Sequence, residues 1–310
     1  LYAWDMLIHI LFNIKDGEKF YVEKINIFGN NITNESFIRQ KFVVDEGDPF
    51  NNLLHNKTIN NLKSSNIFKT VKSEIKDGST NGLKEIDITI EEKPTGEITA
   101  GAGYGSSGST FIVGIKENNF KGDGIKLDAN LALTEESIRG KLSYTTPNFA
   151  YSDNSLTASI ESTSTDKEKD YGYKSSLNKI LLGTSYEQYQ NLYFSPSFSV
   201  SLEELTTTAN ASSNYKKQEG SYFDTLLNYS ISYNTLDSSF RPSNGIVSIF
   251  SQELPVLSDG YNIVNGYQVT GYKEVANDSI LSVGVYTRAV NTLTSGEDVR
   301  VSKRMFLPSS

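Results

Sequence analysis

From Gly96 onward, apolar and polar residues alternate in stretches of about 9 to 11 residues, the length a tilted membrane strand requires. The sharpest runs from Ile125 to Thr134: Ile125, Leu127, Ala129, Leu131 and Leu133 share one face, while Lys126, Asp128, Asn130 and Thr134 share the other. In the next, Ile138, Leu142 and Tyr144 oppose Arg139, Lys141 and Ser143; later Leu192, Phe194, Phe198, Val200 and Leu202 oppose Ser195, Ser197, Ser199, Ser201 and Glu203. Eleven such strands are expected, near 97–105, 109–118, 124–134, 137–146, 154–165, 172–185, 192–206, 221–235, 245–254, 261–274 and 279–291. Long polar connections (Thr163 to Tyr171, Glu203 to Gly220) alternate with short ones (Tyr186 to Asn191, Asn277-Asp278). A soluble β-sandwich also alternates, but its strands usually span about five or six residues. The pattern suits a transmembrane barrel, with one face toward lipid and the other toward a wet lumen.

Composition agrees. Hydrophobic residues make up 37% of the chain and the mean hydropathy is -0.38, as expected where only alternate strand residues face lipid. No segment approaches the roughly 18 uninterrupted apolar residues of a membrane helix. There is no cysteine and there are two histidines, His9 and His55, so thiolate chemistry is excluded and a zinc site or Ser-His-Asp triad has little material. A net charge of -8 argues against binding nucleic acid.

Residues 19–95 read differently. Phe20 to Phe28 is a strand entering a Gly29-Asn30-Asn31 turn; Thr33 or Asn34 can cap a helix bearing Phe37, Ile38 and Phe42. After Gly47-Asp48-Pro49, a second helix carries Leu54, Thr58 and Leu62 on one stripe with Ile59 beside it. Two strands follow, Ile67 to Ile75 and Leu83 to Glu91, the latter with Ile86, Ile88 and Ile90 opposite Asp87, Thr89 and Glu91. This order makes a small α+β unit with helices on one side of a sheet. Leu7 to Ile14 and the turn at Lys15-Asp16-Gly17-Glu18 read as the end of a preceding domain over 1–18.

Val22-Glu23-Lys24-Ile25-Asn26-Ile27-Phe28-Gly29-Asn30, the helix pair, Asn66 to Val71 and Ile86 to Lys93 together resemble a POTRA domain, with 19–95 similar to the one nearest a barrel. Gly96 to Gly105, Glu117 to Gly124, Thr146-Pro147-Asn148-Phe149, Asp237 to Gly245 and Arg304 to Ser310 look like the corresponding segments of BamA-type barrels. The resemblance implies that 96–310 is an all-β, antiparallel transmembrane barrel, the first eleven of sixteen strands, with the C-terminal strands missing. The family's Val-Arg-Gly-Phe would follow Ser310; Val299-Arg300-Val301-Ser302 has the wrong successors, and its role is not transferred. Parity agrees, since complete bacterial barrels have an even number of strands.

The implied function is non-enzymatic and needs no cofactor: insertion of outer-membrane proteins into the bacterial outer membrane, with the POTRA domain in the periplasm. The expected partners are unfolded outer-membrane protein clients, accessory outer-membrane lipoproteins and the lipid bilayer. Client strands would pair with the first barrel strand, Glu97, Ile98, Thr99, Ala100, Gly101, Ala102, Gly103, Tyr104 and Gly105, whose glycines weaken its hold on a neighbour. The alternatives are a TamA-like or two-partner secretion translocator, or a surface adhesin barrel. Gly101-x-Gly103-x-Gly105 opens no helix and lacks a following Lys-Ser/Thr, so it reads as a hairpin rather than a phosphate loop. Glu135-Glu136 and the run Asp166 to Asp170 read as solvated loops.

Overall fold

The computed structural model describes residues 18–105, 108–152, 154–237, 242–276, 279–296 and 298–304. Residues 1–17, the centre of the turn after Asp237, Asn277-Asp278 and 305–310 lie outside the described residues, and so do the expectations placed on them. The chain divides into two compact units between Lys93 and Pro94.

In the first unit, β1 (Tyr21–Phe28), α1 (Glu35–Arg39), α2 (Asn52–Ser64), β2 (Phe68–Asp77) and β3 (Leu83–Glu92) follow one another as expected. The sheet order is β1-β3-β2, with β3 central, parallel to β1 and antiparallel to β2. The alternation of β3 buries Ile86, Ile88 and Ile90 against Phe37, Ile38 and Leu62 of the helices. Each such side chain contributes about 1.5 to 3 kcal/mol. Strand β1 buries both Val22 and Ile25, residues of opposite parity, because its register slips between Val22 and Lys24; a bulge turns both inward. The buried stripe of α2 is His55, Thr58 and Leu62, with Leu54 exposed. A spacing of four drifts by about 40° per step on a helix of about 3.6 residues per turn, so His55 falls nearer the centre of that face. Asn51 caps the helix, its Oδ1 accepting from Leu53 N at 2.8 Å and Leu54 N at 3.3 Å. Gly29 has φ +91°, and a Cβ there would lie 2.1 Å from the Ile90 carbonyl oxygen, so the turn after β1 requires glycine.

The second unit is a single antiparallel sheet of eleven strands: β4 (Gly96–Gly105), β5 (Gly108–Phe120), β6 (Ile125–Thr134), β7 (Ser137–Thr146), β8 (Ser155–Lys167), β9 (Tyr173–Tyr189), β10 (Leu192–Thr207), β11 (Gly220–Asn234), β12 (Gly245–Ser258), β13 (Asn262–Ala276) and β14 (Ser279–Thr292). A short helix, α3 (Ser213–Lys216), sits in the β10–β11 connection. Every strand pairs with its sequence neighbours, leaving β4 and β14 as the two edges among the described residues. All eleven expected strands are present, with ends displaced by up to four residues. The sequence suggests that β12 stops at Leu254, before Pro255, yet the strand continues to Ser258. Pro255 pairs with Leu226 beside a register shift, where a missing N–H does not break the ladder.

Register aligns the faces. Ile98, Ile115, Ala129, Leu142, Ile160, Ile180 and Val200 are successive cross-strand partners, an apolar row crossing seven strands. On the opposite face, Asn130, Lys141, Glu161, Lys179, Ser201 and Asp224 form a polar row. Toward the β9–β10 turn, the apolar face carries a chain of rings: Tyr186 to Phe194 at 5.8 Å, Phe194 to Tyr229 at 6.1 Å and Tyr229 to Phe250 at 6.2 Å. Of the five residues expected on the apolar face of β6, Ala129, Leu131 and Leu133 are exposed and Leu127 is half-buried. Ile125 departs from the expectation. It is buried, paired with Phe120 beyond a register shift that follows Glu117, so the open row starts at Leu127.

Candidate functional site

Strand β4 bonds along one edge to β5 without a register shift, from Gly96 opposite Glu117 to Gly105 opposite Gly108. Its other edge has no partner among the described residues. Glu97, Ile98, Thr99, Ala100, Gly101, Ala102, Gly103 and Tyr104 are all exposed, Ile98 at 81% and Tyr104 at 85%. Glu97, Thr99, Gly101 and Gly103 share the polar face, while Ile98, Ala100, Ala102 and Tyr104 share the apolar one. A Cβ on Gly101 or Gly103 would meet nothing within 4 Å. These glycines therefore accommodate no close neighbour; they leave the polar side of β4 bare beyond Thr99. What the strand offers along its free edge is a row of backbone donors and acceptors.

A second constellation escaped the sequence reading. The segment 298–304 packs on the polar face of β10 and β11, where Arg300 is 3% exposed. Its Nη1 donates to Glu203 Oε2 at 2.8 Å and to Asp224 Oδ2 at 3.0 Å, and its Nη2 donates to Asp224 Oδ1 at 3.3 Å. The guanidinium lies over the Tyr222 ring, 3.7 Å from its centroid. Lys303 Nζ donates to Asp224 Oδ2 at 2.9 Å, Ser258 Oγ donates to Asp224, and Val301 N donates to Gln218 Oε1 at 2.7 Å. Val301 is buried with Tyr173 and Leu205, flanked by Tyr171, Tyr215 and Tyr222.

This arrangement corrects one expectation. Ser199, Ser201 and Glu203 were expected on a hydrated face, yet they are 1%, 6% and 5% exposed. Glu203 and Asp224, on neighbouring strands, would repel and hold water if open; Arg300 and Lys303 neutralise them, while Ser199 accepts from Asn228 Nδ2 at 3.0 Å. The sequence signal was the Val299-Arg300 pair together with two acidic residues at inward positions of adjacent strands. Nothing local to either signal links residues 97 positions apart. Among the described residues, no group of His, Cys, Asp and Glu could hold a metal ion.

An antiparallel meander of strands ten or more residues long, with one apolar and one polar face and a charged strap across its polar wall, defines an outer-membrane barrel sheet preceded by an α+β module. The profile of the Omp85 superfamily domain matches residues 119–307, and the chain belongs to that superfamily. The POTRA profile, described as a surface antigen variable number repeat, matches residues 20–93. The combination is of the BamA type. The outer membrane protein assembly factor BamA of Buchnera aphidicola is 31% identical over 154 residues, covering 49% of this chain and 25% of that protein. BamA of Neorickettsia risticii is 23% identical over 307 residues, covering 97% of this chain and 41% of its own length. The crystal structure of BamA from Haemophilus ducreyi lacking POTRA domains 1–3 superposes with a TM-score of 0.75 at 22% identity, covering 93% of this chain and 58% of that one. CdiB from Acinetobacter baumannii gives a TM-score of 0.55 at 11% identity. The chain thus spans well under two thirds of the length of each of these relatives.

Proposed function

We propose that this chain carries the client-pairing part of a factor that folds and inserts β-barrel proteins into the bacterial outer membrane. One observation carries the reading: beyond Thr99 the polar side of β4 is made of glycines, so a strand paired along its outer edge, which has no partner among the described residues, would meet mainly backbone, beside an apolar face. Unpaired backbone groups in hydrocarbon cost several kcal/mol each, so an incoming strand that supplies partners is strongly favoured there. Recognition by main-chain bonds depends little on client sequence. The free energy comes from client pairing and burial in lipid, so no cofactor or catalytic residue enters. The names of the BamA relatives, assembly factors of the outer membrane, support the same reading.

In this reading the apolar face, including Leu127, Ala129, Leu131 and Leu133, lies against lipid, and the polar face lines the lumen. Residues 19–95 form the barrel-proximal POTRA domain, which stands in the periplasm, receives unfolded clients and holds accessory lipoproteins; 96–310 is the N-terminal part of the barrel. A TamA-like or two-partner secretion translocator is the second reading, since the fold likeness extends to CdiB.

The test uses a chimera in which this chain precedes the remaining barrel strands of the Haemophilus ducreyi relative. Cysteine at Thr99 or Ala102 should crosslink to cysteine in the terminal strand of a stalled client. If clients crosslink only to polar-face positions such as Asp128 or Lys141, the barrel is a conduit and the pairing mechanism is wrong.

A further inference from the structure

A cavity of about 450 Å³ opens where three segments of the second unit meet: the β10–β11 connection at Lys217 and Gln218, the β12–β13 turn at Asp259 and Asn262, and the residues after β14 at Asp298 and Arg300. That volume falls within the range of roughly 300 to 1,000 Å³ typical of small-molecule sites. Asn262 is 4% exposed; its Nδ2 donates to the Gly260 carbonyl oxygen at 3.2 Å, and its Oδ1 has no partner among the described residues. A buried acceptor of this kind is costly to leave bare. A Cβ on Gly260 would lie 3.2 Å from Arg300 Nη2 and 3.3 Å from Asn262 Nδ2, so the strap and the turn close on each other at this wall. Asp259 Oδ2 accepts from Phe223 N at 2.6 Å, which fixes that carboxylate at the rim.

The lining selects the chemistry of an occupant. Lys217 and Arg300 are balanced by Asp259 and Asp298, so neither an anion nor a cation is favoured. An apolar molecule would leave Asn262 Oδ1 unsatisfied. A hydroxyl group both donates and accepts, and a ring carrying several can answer the bare acceptor and the ammonium of Lys217 together. We propose that this cavity binds one neutral, hydroxyl-rich sugar ring, with Asn262 Oδ1 accepting from one hydroxyl at its base and Lys217 donating to another at its rim. In the proposed membrane reading the long connections lie outside the cell, where such rings occur in surface glycans as well as in free saccharides. The source rests on that reading; the fit of the ring does not.

The test uses the chimera with the Haemophilus ducreyi strands, folded in lauryldimethylamine oxide, a detergent whose head group carries no sugar. Methyl glycosides of glucose, galactose, mannose and N-acetylglucosamine are titrated and read by saturation-transfer NMR. At least one should receive saturation at its ring protons. Asn262→Ala should weaken its binding about three- to tenfold, the scale of one hydrogen bond. Asn228→Ala removes a second unpartnered amide oxygen outside the cavity and should change nothing. If Asn262→Ala fails to fold, Lys217→Ala at the exposed rim takes its place, with a loss of the same order. Transfer to none of the glycosides would overturn the site and leave water as the partner of Asn262. Binding unchanged in Asn262→Ala or its substitute, or displacement of the glycoside by inorganic phosphate or calcium chloride, would overturn it as well. Lipopolysaccharide in mixed micelles separates the sources: displacement of the bound glycoside supports a surface glycan, and failure to displace it supports a free saccharide, the ring being recognised in both cases. Client crosslinking at Thr99 should be unaffected by Asn262→Ala, so loss of sugar binding leaves the strand-pairing reading standing, and loss of crosslinking leaves the cavity standing.

Discussion

Arg300 Nη1 lies 2.8 Å from Glu203 Oε2, joining residues 97 positions apart, and both side chains are at least 95% buried. Removing one member of such a pair leaves an uncompensated buried charge, which typically costs about 3 to 5 kcal/mol. Arg300→Ala should therefore lower the thermal unfolding midpoint in detergent and release 298–304 to protease. Arg300→Lys should recover only part of the loss, because an ammonium cannot reach both Glu203 and Asp224 as the planar guanidinium does. Protease protection unchanged in Arg300→Ala would show that the strap is held by Val301 packing alone.

Leu131 and Asn130 are adjacent but face opposite ways, the first on the apolar face and the second on the polar row. Arginine at Leu131 should cost about 2 to 4 kcal/mol if it lies near the bilayer midplane, while arginine at Asn130 should cost little. Folding yield into phospholipid vesicles across a urea series measures both. Equal tolerance would contradict the assignment of the faces.

Proline scanning reads the free edge of β4 directly. Backbone groups of alternate residues point to opposite edges of a strand, so Ala100 and Ala102 share one edge while Thr99, Gly101 and Gly103 share the other. Proline on the outward set should abolish client crosslinking in the chimera without disturbing the β4–β5 hairpin; proline on the inward set should do the reverse. Ala100→Ser should leave both intact. Insensitivity of crosslinking to proline in either set would rule out backbone pairing.

In the first unit, His55 is buried with Ser73 Oγ 3.0 Å from its Nε2, and burial holds its pKa below 6.5. The folded state favours the neutral ring, so its contribution is present above pH 6.5 and is lost as the pH falls through the folded pKa. Residues 18–93, excised, should unfold cooperatively in urea and lose stability as the pH falls below about 6.5. His55→Leu should flatten that window while leaving the acid loss below about pH 4, where Asp87, held low by Lys76 and Asn26, becomes protonated. A pH slope that persists in His55→Leu would assign it to another group.

The legible parts of this fold were those with a local cause. Strand after strand of the sheet follows from period-two alternation, and β3 from its three isoleucines, because each residue's face is fixed by its immediate neighbours. Features decided by register were hidden: the bulge that buries both Val22 and Ile25, the continuation of β12 through Pro255, and the burial of Ile125. The edge strand could be anticipated from its place after the first unit. The Arg300 strap could not, because a short segment with an ordinary composition acquires its meaning only when Glu203 and Asp224 are side by side.

The bare polar side of β4 also bears on alignment. A strand is normally held in one register by side chains that interlock with its neighbour, and a slip of two residues preserves the faces but breaks those contacts. From Ala100 to Gly103 the polar face of β4 has no side chain to break them, while Ala100 and Ala102 on the other face add a single methyl each; Tyr104 closes the stretch. A partner laid along this stretch can therefore shift in steps of two at little cost. The edge behaves as a rail rather than a lock, accommodating strands that differ in length and sequence without a separate fit for each.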